Sequence, residues 1–275
     1  MQTGTKTAFY VAPNGNDAWS GKLAEPNARG SDGPFATPAR ARDAIRAMDP
    51  DERVAHPIEV LLRGGTYYLS EPLTFEPQDS GTFACPITYA AYPGEKPALS
   101  GGQRIEAGWR PYQGSVMVCD VPGAKDKGWV FRRLAVNGAA KRRARLPKVD
   151  YYRIEAPANE AAFKYREGDI RRFHNLEDVE VVVMHSWNES RLIVQSLDEA
   201  ERVVTFTGGP ERSHYFGWGG VHGMNRYYIE NAREGLAAPG DWYLDSRSGE
   251  LYYWPDGDLA AAEIVAPRLK EVVRF

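Results

Sequence analysis

Residues 57–81, PIEVLLRGGTYYLSEPLTFEPQDSG, hold three short runs of strand-forming residues, Glu59–Leu62, Thr66–Leu69 and Leu73–Glu76, separated by corners of three residues. Val, Leu, Thr, Tyr and Phe in runs of this length suit a pleated, half-buried surface. A longer turn through Gln78-Asp79-Ser80-Gly81 follows, and the pattern restarts at Ile87–Ala91 and Pro97–Ser100. Val60 and Ile87 then stand about one rung apart, within the repeat of roughly 20–30 residues that solenoids use. Flat runs, tight corners and a restart predict coils of a parallel β-helix. An antiparallel meander with short corners is the alternative arrangement of the same runs.

Upstream, Phe9-Tyr10-Val11 is a short strand that runs into Pro13-Asn14-Gly15-Asn16-Asp17, residues that preset or tolerate turn dihedrals. Asn14–Asp17 offers oxygen ligands of the kind calcium uses, but a simple turn explains it with fewer assumptions. ATPARARDAIRAMDP (36–50) is punctuated as a helix. Thr37 is the N-cap, Pro38 takes the first helical position, Ala41, Ala44, Ile45 and Met48 share one face, and Asp49-Pro50 is the stop. An amphipathic helix at this place predicts a cap over the first coil.

From about Gly102 the pattern changes to longer strands joined by hairpin signals. Arg132–Val136 and Ala139–Ala144 flank Asn137-Gly138, a type I′ turn pair. Val179–His185 leads to Arg191–Leu197, which crosses Asp198–Glu201 into Arg202–Thr207, and Trp242–Leu244 and Leu251–Trp254 flank Ser246–Gly249. Pro255–Asp258 reads as an exit loop, after which Glu263–Ala266 and Glu271–Phe275 return to short strand runs. The expected class is therefore mainly β. Residues 1–101 are a helix cap and first β-helix coils, 102–262 an inserted antiparallel β module, and 263–275 the start of the resumed helix. A chain that stops inside a strand is expected to be the N-terminal part of a longer solenoid, with an unpaired coil face at Glu271–Phe275.

Composition agrees with many short strands and tight turns: aromatics make up 12% of the 275 residues, and 27 Gly and 19 Pro punctuate the chain. A formal net charge of -3 leaves no electrostatic footprint for nucleic acid. The basic run Lys141-Arg142-Arg143-Ala144-Arg145 is read as a solvated strand face. Met1–Thr7 is polar and lacks a signal peptide's apolar core, and no stretch reaches transmembrane length, so no membrane partner is expected. Cys85 and Cys119 allow one optional disulfide and no zinc quartet.

Candidate chemistry gathers in two segments. In MHSWNESR (184–191), His185, Trp187 and Arg191 combine a donor, a flat stacking face and a carboxylate-binding fork near a strand end. With equal weight, Trp187 closes the module's core and His185 caps the strand. HYFGWGGVHGMNRYY (214–228) places His214, Trp218, His222 and Asn225 in a glycine-rich loop suited to lining a groove. It lacks the cysteine or carboxylate that a two-histidine metal site wants, and no Gly-Lys-Ser/Thr follows for a phosphate loop. Trp218, His222 and Asn225 join His185, Trp187 and Arg191 as candidate substrate contacts. No metal or cofactor is expected. Asp241, Asp245 and Glu250 are the nearest carboxylates for a glycosidase pair, but a turn role for Asp245 is the commoner use.

FYVAPNGNDAWSG with DGPFATPARARDAI, VLLRGGTYYLSEPLTF with PITYAAYPGEKPALSGG, FRRLAVNGAAKRRARLP, VVVMHSWNESRLIV and PGDWYLDSRSGELYYWP, in this order and spacing, resemble right-handed parallel β-helix proteins of the glycoside hydrolase family 141 type. The resemblance covers nearly the whole chain. It implies hydrolysis of glycosidic bonds in plant cell-wall polysaccharide, xylan or fucose-bearing pectin, with catalytic carboxylates on later coils beyond Phe275. No position here matches those carboxylates, so no catalytic residue is assigned. It also implies export, for which this sequence shows no signal peptide. Two other functions fit the same elements: a polysaccharide lyase acting on uronate-containing glycans, which forms an ultraviolet-absorbing product, and a non-catalytic glycan-binding or structural module, which binds without cleaving.

Overall fold

The computed structural model describes residues 6–185, 188–209 and 226–275. The chain divides into two compact units, one of Arg104–Ala266 and the other of Met1–Gln103 with Pro267–Phe275.

In the second of these, Thr7–Val11, Ile58–Leu62 and Ile87–Ala91 form a three-stranded parallel sheet. The register sets Ile58 opposite Ile87 and Val60 opposite Tyr89, two residues from the rung expected between Val60 and Ile87. Two parallel pairs accompany it, Gly65–Tyr68 with Pro97–Ser100 and Leu73–Thr74 with Val273–Arg274. The helix Pro38–Arg46 begins as its residues dictate: Thr37 accepts the N–H of Arg40 and Pro38 occupies the first turn. Asp17 holds that end, its carboxylate accepting the N–H groups of Ala36 and Thr37 at 2.8 and 2.9 Å. Ala41 and Ile45 pack among Phe9, Val11, Ile58 and Val60, so the helix covers a small sheet. Asp49-Pro50 ends this helix and also starts another, Pro50–Ala55, with Asp49 as N-cap; the pair that stops one helix is equally a start signal for the next.

Within Arg104–Ala266, six strands close into a barrel. In order they are Arg226–Glu230, Tyr152–Asn159, Ala162–Tyr165, Val203–Phe206, Glu189–Asp198 and Glu180–Met184, the last pairing back onto the first. Closure leaves those strands no free edge. Alternating residues fill the interior, among them Ile154, Phe163, Val181, Val183, Leu192, Val204, Phe206, Tyr227 and Ile229. Register shifts between Ile154 and Ala156 and between Val194 and Ser196 bend the two longest strands around the wall.

Most strands of an eight-stranded sheet, curled into a half-barrel, also lie in this unit. Its hairpins form where the turn residues mark them, Leu134–Val136 against Ala139–Arg143 and Asp241–Asp245 against Glu250–Tyr253. All of Asp241–Asp245 is buried, Trp242 and Leu244 in one cluster and Tyr243 in another, so both faces of this strand are covered.

The expected right-handed parallel β-helix with inserted module is not the fold. The strands pair mostly antiparallel, and they build a closed barrel and a curled sheet. The parallel ladders of the smaller unit hold three, two and two strands. A solenoid is stabilised by continuous stacking of at least three repeats, and two similar rungs in the sequence did not carry that information. Ile264–Pro267, expected in a resumed coil, pairs antiparallel with Leu134–Val136 in the eight-stranded sheet.

Both cysteines are free thiols. Burial pushes the Cys119 thiol up to about 12, with the nearby Asp120 adding to the shift. A thiolate reagent at neutral pH is expected to titrate half-buried Cys85 in the native protein and Cys119 after denaturation. Equal labelling rates for the two in the native protein contradict this.

Candidate functional site

Two of the expected contact residues, His185 and Arg191, lie at one end of the hairpin Glu180–Met184 and Glu189–Asp198. The His185 N–H donates to the Asn188 carbonyl at 2.9 Å, and its buried ring places Nε2 2.8 Å from Ser190 Oγ. Arg191 pairs with Val182 across the ladder, and its guanidinium faces carboxylates of this same unit. Nη1 donates to Glu230 Oε2 at 2.6 Å and Nε to Glu189 Oε1 at 2.8 Å, while Nη2 is 3.5 Å from Tyr228 Oη. Trp187, Trp218, His222 and Asn225 lie outside the described residues.

The three carboxylates weighed for glycoside chemistry are each engaged. Asp241 is fully buried; it accepts the N–H groups of Ala237 and Ala238 at 2.9 Å and pairs with Arg142 at 3.1 Å and with Lys148. Asp245 accepts from the Arg247 and Ser248 N–H groups and from Asn175 Nδ2 on one oxygen, and meets His174 Nε2 at 2.8 Å on the other. Burial favours its neutral form, yet the Ser248 N–H, His174 and Arg247 N–H bonds hold its pKa below the ordinary value. Asp178 is pushed the opposite way, chiefly by burial, although the Ser246 N–H and hydroxyl bind it. A carboxylate pair split in this way can separate acid from base. Here the split serves structure, because Asn175 bridges the two groups and their other partners are His174 and the turn after Asp245. Glu250 bonds Ser248 Oγ, the Tyr252 hydroxyl and Arg110.

Behind Arg191 is a buried ionic network. Glu180 stands opposite Glu230 in the ladder, a like-charge pairing that costs stability unless cations intervene. Arg143 supplies one, its Nη1 2.7 Å from Glu180 Oε1 and 3.8 Å from Glu230 Oε2, and Arg132 Nε reaches both Glu180 oxygens at 2.9 Å. Burial would raise the Glu180 pKa, but Arg143 and Arg132 outweigh it and hold the group below the ordinary glutamate value. The run Lys141–Arg145 is therefore no solvated face. Arg143 and Ala144 are buried, and Lys141 and Arg142 pair with Asp256 and Asp241. Strand alternation sends neighbouring basic residues to opposite faces, and both faces of this strand meet carboxylates.

Arg145 continues this run onto the outer wall of the barrel. Its guanidinium lies 4.1 Å over the Tyr228 ring and 5.1 Å over Tyr151, and Arg226 lies 5.0 Å over Tyr151. The two rings meet edge to face at 6.0 Å. Tyr228 and Arg226 point outward because Tyr227 and Ile229 between and beside them fill the interior. Gly235 permits the backbone approach that seats Arg145, since a Cβ there would fall 2.8 Å from the Arg145 nitrogen. Tyr151 keeps 37% of its surface exposed. Guanidinium groups stacked on tyrosines beside carboxylates form a rigid polar and aromatic surface of the kind that holds a sugar ring. Sequence inspection missed Arg145, Tyr151, Arg226 and Tyr228. Their signal was the alternation in NRYYIE (225–230), which places Arg226 and Tyr228 on one face of a strand.

Residues 114–256 match the family model described as GH141 insertion domain. No curated protein matches the chain. Among solved structures it is similar to one titled "Glycoside hydrolase", with 29% identity, a TM-score of 0.79 and 97% of this chain covered. The chain spans 47% of that protein's length.

Proposed function

From this chain's membership of the GH141 insertion domain family, we propose that it is part of a carbohydrate-active enzyme that hydrolyses glycosidic bonds in plant cell-wall polysaccharide, xylan or fucose-bearing pectin, and that its barrel contributes one wall of the glycan site. The observation that carries this reading is the outward cluster of Tyr151, Tyr228, Arg145 and Arg226, stacked in one rigid array beside the Arg191–Glu230 pair. Sugars offer apolar ring faces to aromatic rings and hydroxyls to charged donors and acceptors. His185 and Arg191, with Trp187, Trp218, His222 and Asn225, belong to the same proposed contact set.

In this proposal the cleaving carboxylates are supplied by residues outside the chain. Glycoside hydrolysis needs two carboxyl groups, one to protonate the leaving oxygen and one to attack or to activate water. Asp241, Asp245 and Glu250 are committed to backbone N–H groups, basic side chains and hydroxyls, which leaves them as supports of the fold.

The test is binding and product release on a panel of xylans and fucose-bearing pectins, with this chain and with a protein extended to the length of the matched glycoside hydrolase. Retention of the chain by at least one glycan, with reducing ends released by the extended protein, is the expected result. Cleavage by this chain on its own would move the chemistry back to Asp241, Asp245 and Glu250. Absence of any binding removes the glycan wall from the proposal.

A further inference from the structure

We propose that the outer barrel surface formed by Arg145, Tyr151, Arg153 and Arg226 is a subsite for an acidic sugar, a uronate residue whose carboxylate is held by the arginines while its ring rests on Tyr151; this rests on the glycan reading above. Arg153 and Arg226 stand directly opposite each other in the antiparallel ladder. Two like charges in that relation repel and weaken the sheet, so an unoccupied surface pays for the arrangement and a bound anion relieves it. Deeper in the same unit Glu180 and Glu230 also face each other, and there Arg143 and Arg191 lie between them. No such counter-ion serves Arg153 and Arg226 among the described residues. Asp150, the residue before Tyr151, gives Arg145 its main-chain carbonyl at 2.6 Å. Glu230 is held by Arg191 at 2.6 Å.

The donors are ready for such a ligand. Arg145 Nε and Arg226 Nε are buried and have no hydrogen-bond partner among the described residues. With both Nε atoms closed to solvent, an arriving carboxylate is met by the terminal guanidinium nitrogens, in the two-pronged geometry that arginine matches. Both guanidinium planes already lie about the exposed Tyr151 ring, at 5.1 and 5.0 Å, so their positions are set before the ligand arrives. A neutral sugar would gain the stacking surface and leave the paired positive charge unanswered. The surface therefore selects for acid sugars over their neutral counterparts.

The experiment is calorimetric titration of the protein with oligogalacturonides, with the same oligomers as methyl esters, and with xylo-oligosaccharides. The acid form should bind at least tenfold more tightly than its ester, and the difference should shrink as salt rises. Arg226→Gln and Tyr151→Ala should each weaken the acid form about tenfold. Because Arg226→Gln alters a half-buried residue, exposed Arg153→Gln is the second variant. It should raise the melting temperature of the free protein and weaken the acid ligand, opposite movements that a purely structural role does not produce. Equal binding of acid and ester overturns the subsite and leaves the glycan wall standing. Binding by none of the three sugars overturns both.

Discussion

Arg143→Met is expected to destabilise the protein by about 3–5 kcal/mol, because it strips the main counter-ion from a buried glutamate. The side chains of Arg143 and Glu180 retain 4% and 5% of their exposure, so solvent screens this pair little. Arg132 is half exposed and Arg191 stands 3.9 Å away, and neither replaces a buried 2.7 Å contact. Removing both partners, in Arg143→Met with Glu180→Met, should recover most of the loss, since a well-packed apolar pair of similar volume often matches a buried ion pair. Chemical denaturation of the two variants checks this. A single variant that melts with the parent would show that Arg132 and Arg191 hold Glu180 unaided.

The same pair gives a pH dependence. Glu180 has its folded pKa depressed, against the pull of burial, by Arg143 and Arg132. Its contribution is therefore complete above the ordinary value of 4.5 and is lost as pH falls through the lower folded value. In Arg143→Met the carboxyl protonates more readily, so the gap between parent and variant should narrow as pH falls through that range and level off below the parent's folded value. A gap that does not narrow as pH falls below 4.5 would mean that Arg143 acts through packing against Trp242, over whose ring it lies at 5.8 Å, and through Asn231.

Local chemistry was legible in the sequence, and its global assembly was not. Thr37-Pro38 fixed a helix start and Asn137-Gly138 a hairpin because each rests on dihedral limits of a few residues. Barrel closure rests on Val181 meeting Ile229 and Val182 meeting Tyr228, almost fifty positions along the chain, and no local period encodes that pairing. The corners in 57–81 misled for a related reason: they specify where strands end and leave open which strand comes beside them. Charge was misread in the same way. Arg143 looked like part of a solvated run until Glu180, on a strand formed much later, proved to be its partner. Arg145 and Arg226 became visible as candidate contacts through Tyr151, whose ring lies against both guanidinium groups.

The barrel interior should be the most sensitive place to lose volume, and Phe163→Ala is expected to cost about 3–5 kcal/mol. Phe163 is fully buried, with ring centroids 5.4 Å from Phe206 and 5.0 Å from Tyr227. It sits on Ala162–Tyr165, a strand hydrogen-bonded on both sides, so the wall cannot slide inward to fill the space left behind. Phe163→Leu keeps more of the volume and should cost less, and Ile193→Ala, on an outward position that is 39% exposed, should lie within about 0.5 kcal/mol of the parent. The loss should also reach the outer surface. Tyr227 is the inward neighbour of Arg226 and Tyr228, and a void under its ring frees that strand to shift relative to Tyr151. Phe163→Ala is therefore expected to weaken acid-sugar binding while leaving every contacting side chain in place. Unchanged binding in a destabilised variant would show that the outer array is held by its own stacking and by the ladder to Tyr152–Asn159, independently of the packing inside the barrel.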